Sequence, residues 1–76
     1  MTETAIRHSP QGWLDHMFSA KAARTGGVIR RNVAWVEREV GRDLFEAEVR
    51  KRGFHLLETG RQLVVICNQG ELRLLF

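Results

Sequence analysis

The chain has 76 residues, a net charge of +3 and a single cysteine. That length bounds it to one domain near the lower limit for an independently stable core. A lone cysteine excludes an intramolecular disulfide and suits a reducing cytoplasm, and no apolar run approaches the length of a membrane span.

Met1-Thr2-Glu3-Thr4 lacks the charged start and apolar core of a signal peptide. A cytoplasmic chain with no membrane partner is the expectation. Residues 1–8 are polar and read as a frayed terminus, leaving 9–76 as a single domain.

In chain order, Ser9-Pro10 predicts a helix start, because serine is a favoured N-cap and proline at the first helical position loses no needed donor. Trp13, Leu14, Met17 and Phe18 then fall on one helical face. This helix fades through Lys21-Ala22-Ala23-Arg24 and breaks at Thr25-Gly26-Gly27. Ile29, Val33, Val36 and Val40 recur at the spacing of a second helix with a continuous apolar stripe. Gly41 is placed to end it in a left-handed turn. Asp43 and Glu46 have the spacing of a capping box that opens a third helix. Leu44, Phe45 and Val49 give that helix a buried edge, Glu46 with Arg50 and Glu48 with Arg52 are i,i+4 pairs, and Gly53 ends it.

Three strand-length runs follow, at 54–59, 62–68 and 71–76, separated by Gly60-Arg61 and Gln69-Gly70. Two-residue gaps with glycine are strong hairpin signals, and glycine first in the pair suits a type II′ turn. The expected fold is therefore α+β: three N-terminal helices followed by a three-stranded antiparallel β-meander, with the helices packed on the sheet. The middle strand is apolar at consecutive positions. Leu63, Val65 and Cys67 face one way, while Val64 and Ile66 face the other. Both faces of this sheet want cover. Leu57, Val64, Ile66 and Leu75 are the candidate interface on the second face, and a homodimer through the sheet is the simplest closed solution.

Chemistry-bearing motifs are sparse. His8, His16, His55 and Cys67 form no recognised metal-ligand pair, and Cys67 between apolar neighbours reads as an inert buried thiol. No serine elbow, paired-carboxylate motif or P-loop is present. No metal or cofactor is expected, and the sequence specifies no small-molecule ligand. Gly26 and Gly27 before a helix carrying Arg30 and Arg31 are a candidate anion or phosphate site. A candidate nucleic-acid site runs along the second helix through Arg24, Arg31, Arg38 and Arg42, with Arg30 beside them. In a winged-helix arrangement, Asp43, Glu46 and Glu48 on the third helix would face phosphates, which weighs against DNA reading.

Segment 45–76 resembles the core of HicA-type mRNA interferases, with a charged helix, the step Gly53-Phe54 and then a hairpin of a double-stranded-RNA-binding-like sheet. That family has Gly-Ser-His where this chain has Gly60-Arg61-Gln62, and no helix follows the third run here. This resemblance implies an RNA-binding-like scaffold without the nuclease. The whole chain is similar to a group of short bacterial reading frames that share Gly-Gly-Val-x-Arg-Arg-Asn (26–32), Glu-Val-Arg-x-Arg-Gly-Phe-His-Leu (48–56) and Cys67-Asn68. Such frames carry the name phosphoribosylanthranilate isomerase, which implies isomerase activity. The genuine enzyme is a (β/α)₈ barrel of about 250 residues, and proton transfer needs a positioned acid and base. Cys67 cast as base has no carboxylate partner placed by sequence. The leading expectation is a non-catalytic self-associating or protein-binding module, ahead of an RNA- or DNA-binding module and then of an isomerase.

Overall fold

A computed structural model describes residues 8–76; of the frayed terminus expected over 1–8, all but His8 lies outside the described residues. Helix α1 spans Pro10–Phe18 and starts where Ser9-Pro10 predicts, with Ser9 Oγ accepting from the Gly12 N–H at 3.0 Å. A separate short turn, α2 (Lys21–Arg24), follows. The chain then forms strand β1 (Val28–Asn32), helix α3 (Val33–Glu39), helix α4 (Arg42–Lys51) and strands β2 (His55–Thr59) and β3 (Gln62–Ile66).

The α+β class and the three-stranded antiparallel sheet stand, but the expected order does not. Strands are interleaved with helices, and the sheet order is β1-β3-β2. Two reassignments account for the difference. The expected second helix begins as β1: Val28 and Ile29 are β-branched and favour a strand, and Asn32 caps α3 by accepting from the Trp35 N–H at 3.1 Å. The expected third strand at 71–76 forms no strand. A meander would need it beside β3, yet both edges of β3 are taken, by β1 with Val28 opposite Ile66 and by β2 with His55 opposite Ile66.

The β2–β3 hairpin is the sharpest local success. Thr59 pairs with Gln62, so Gly60-Arg61 is the whole loop. Gly60 has φ +59° and no non-glycine residue has positive φ among the described residues. A type I′ turn needs positive φ at both positions, so the turn is of type II′. At Gly41, φ +94° ends α3, and its N–H donates to the Val36 carbonyl at 2.8 Å. The same glycine stands at the N-cap of α4 with no side-chain cap, so Asp43 lies in the first turn and caps nothing.

Helices and sheet meet on one side. Ile29, Leu63 and Val65 from the sheet and Cys67 just past β3 pack with Leu14, Met17 and Phe18 of α1, Val36 of α3, Val40, and Phe45 and Val49 of α4. Phe45, Leu14, Val36, Leu63 and Val65 are fully buried, and each such side chain contributes about 1.5–3 kcal/mol by leaving water. Val33 is only partly buried, and Leu44, expected on the buried edge, is exposed. Trp13 and Trp35 meet edge-on, with centroids 4.9 Å apart, and tie α1 to α3.

One buried charge is embedded here. Glu48 is 6% exposed and accepts from Arg52 Nε at 2.7 Å, the i,i+4 pair read from the sequence. Arg52 also lies 4.6 Å over the Phe18 ring. Glu46 takes Arg42 at 2.9 Å as its partner, in place of the expected Arg50.

Two substitutions probe this core. Val36→Asp places an unpaired charge at a position with no exposure and is expected to abolish the cooperative thermal transition. Arg52→Ala strips Glu48 of its partner and is expected to lower stability by about 1–3 kcal/mol, measured by urea unfolding. Arg52→Lys should recover part of that loss, because it restores charge without the planar fork.

Candidate functional site

Strand alternation sends one set of side chains to the face opposite the core. The register arranges them in three rows across the sheet: Val28 beside Ile66 beside His55, Arg30 beside Val64 beside Leu57, and Asn32 beside Gln62 beside Thr59. Val28 is 45% exposed, and Leu57, Val64 and Ile66 are partly exposed. None of the four belongs to the core cluster. The result is an apolar strip across the strands, with polar residues at its rim.

Of the candidate interface residues, the sheet brings Leu57, Val64 and Ile66 together and leaves Leu75 outside. Leu75 is 77% exposed on segment 71–76, alongside Leu74 at 83% and Leu72 at 46%. The turn before this segment is pinned to the start of β2. The Gly70 N–H donates to Asn68 Oδ1 at 2.9 Å, Gln69 Nε2 donates to the Arg52 carbonyl at 2.9 Å, and the His55 ring meets the Gly70 carbonyl. Val28 and His55 were missed as members of the outer face; only the pairing register places them there.

A groove of about 560 Å³ runs beside β2, between that strand and α4. Val49, Leu56 and Leu63 supply its apolar lining, and Arg42, Glu46, Arg50 and Glu58 its charges. Arg42 binds Glu46 at 2.9 Å and Glu58 at 2.7 Å. These two carboxylates, Glu46 first, hold its guanidinium more firmly protonated than usual. Glu46 and Glu58 thus share one permanent cation, each through one carboxylate oxygen.

The other candidate residues are dispersed. Gly26 and Gly27 precede a strand and not a helix, so no helix N-terminus is presented there. The Gly27 N–H is engaged by the Ala22 carbonyl at 2.7 Å, and the Gly27 carbonyl accepts from the Cys67 N–H at 2.9 Å. Arg30 and Arg31 are neighbours on β1 and so point to opposite faces. Of the expected arginine stripe, Arg24 lies on α2, Arg31 on β1, Arg38 on α3 and Arg42 on α4. Arg38 pairs with Glu39 at 3.0 Å and Arg42 with its two glutamates. The single helix that was to align them is absent, and two of the four are neutralised locally.

His8 and His16 stack at 5.2 Å, with Trp13 packed 4.5 Å from His8. Among the described residues, no group of three His, Cys, Asp or Glu side chains is placed to hold a metal. At the hairpin, Gly60-Arg61-Gln62 puts an exposed Gln62, at the start of β3, where the Gly-Ser-His run of the interferase resemblance has its catalytic histidine. No helix among the described residues is long and apolar enough to cross a membrane.

Cys67 is 3% exposed, with its thiol directed to the Val65 carbonyl at 3.8 Å. Burial pushes the thiol pKa up, and Arg52 opposes this more weakly. Alkylation of Cys67 at neutral pH is therefore expected to be far slower than that of a free thiol and to accelerate in denaturant; rapid native-state labelling would contradict the buried placement. No protein-family model matches the chain, and no curated protein or solved structure shows a significant similarity to it.

Proposed function

We propose that this protein is a non-catalytic module that self-associates through the outer face of its sheet. The observation that carries this reading is the apolar strip of Val28, Ile66, Val64 and Leu57, which takes no part in the core. Contiguous apolar surface with a polar rim is the usual mark of an interaction site. A second copy brings the same strip, and a two-fold contact matches a patch with itself. Catalysis finds less support. The groove carboxylates are held by Arg42, and Cys67 is buried with a raised pKa.

Sedimentation over a range of protein concentrations tests the proposal. The mass is expected to rise from monomer to dimer, and Val64→Asp is expected to hold the chain as monomer. Val64 lies outside the core, so the thermal transition should survive the change. A monomer at every concentration contradicts the proposal, as does a dimer unaffected by Val64→Asp.

A further inference from the structure

The outer face alone is small for a stable interface. Three strands of five residues span roughly 250 Å² in plan at the usual strand spacing and rise, against about 800 Å² per partner in standard interfaces. A second contact region is needed if the association is to be firm. The structure supplies both halves of one.

The first half is the segment 71–76, reading Glu-Leu-Arg-Leu-Leu-Phe. It forms no helix or strand and exposes Leu72, Leu74, Leu75 and Phe76 at 46, 83, 77 and 110%. Four apolar side chains held in water within six residues are the composition of a strand lacking its neighbour. The second half is the free edge of β2, an outer strand of the sheet. Along that edge lies the 560 Å³ groove, in which Phe54 and Leu56 are the partly exposed apolar lining beside the paired charges of Arg42, Glu46 and Glu58, with Val49 and Leu63 buried beneath. The other edge strand, β1, carries two adjacent charges, Arg30 and Arg31, where β2 carries Glu58, already paired with Arg42, and charged residues discourage added pairing.

We infer that residues 71–76 of one copy add as a strand to the β2 edge of the second copy, and that the exchange is reciprocal. This inference rests on the self-association proposed above and names the segment that completes it. Alternation sets Leu72, Leu74 and Phe76 on one side of the added strand, where they enter the groove between β2 and α4. Arg73 and Leu75 lie on the other side, where Leu75 extends the row of Val64 and Leu57. Backbone pairing supplies affinity and the alternate apolar side chains supply register, as in other strand additions. The expected interface residue Leu75 thus reaches the sheet of the partner and not its own.

Residue-resolved amide exchange by NMR, at dilute and concentrated protein, tests this on the full chain and on Leu74→Asp. Leu74 is 83% exposed, so the substitution leaves the monomer fold intact. The expected result is a dimer in which amides of both 71–76 and 55–59 gain protection with concentration, and loss of the dimer and of that protection in Leu74→Asp. A dimer that persists in Leu74→Asp, with 71–76 exchanging freely, overturns the strand addition and leaves the face-to-face proposal standing. Loss of the dimer in Leu74→Asp without concentration-dependent protection along 55–59 also overturns it, because the segment then docks elsewhere. A chain that stays monomeric at all concentrations overturns both.

Discussion

Strand β3 carries the rest of the molecule. It lies at the centre of the sheet, hydrogen-bonded to β1 on one side and β2 on the other. It is also apolar on both faces. Leu63 and Val65 are fully buried beneath the helices, while Val64 and Ile66 stand partly exposed on the other face. A strand of that composition is at rest only when both faces are covered. The helices of this small domain cover one.

That constraint links the fold to the proposed function. The inner face draws α1, α3 and α4 into a single core, and the chain from Pro10 to Lys51 supplies those helices in turn. Segment 71–76 has no free edge of β3 to join, because β1 and β2 already flank it. Its apolar residues stay in water, and the apolar strip of the outer face is left without cover by the helices. The proposed second copy would relieve both exposures in one event. The charge pattern points the same way. Arg38 and Arg42, two of the four arginines expected to form a polyanion track, are tied to glutamates on their own surface.

Local rules made much of this legible and non-local ones did not. The type II′ turn at Gly60-Arg61, the Ser9-Pro10 helix start and the Glu48–Arg52 pair all depend on residues a few positions apart, and all are present. The central strand was visible because consecutive apolar residues at 63–67 admit no other placement in so short a chain. Ile29, Val33, Val36 and Val40 recur at helical spacing, which predicts helix where β1 stands. They do face the same core, yet Ile29 does so from a strand, Val33 and Val36 from the helix that follows, and Val40 from its C-cap. Asn32, followed by an apolar run, was the available sign of that boundary. The failure of 71–76 to form a third meander strand could not be read locally. It depends on which edge of β3 was already occupied, a fact about residues 28–32.

The central claim is that the outer sheet face is a contact surface between copies. Methyl NMR across a dilution series observes it directly, with separate signals from the two faces. Methyl groups of Val64, Ile66 and Leu57 should shift with concentration, while those of Val36, Val49 and Val65 in the core should stay fixed. Fixed signals from all six, or shifts confined to the core set, would contradict the account.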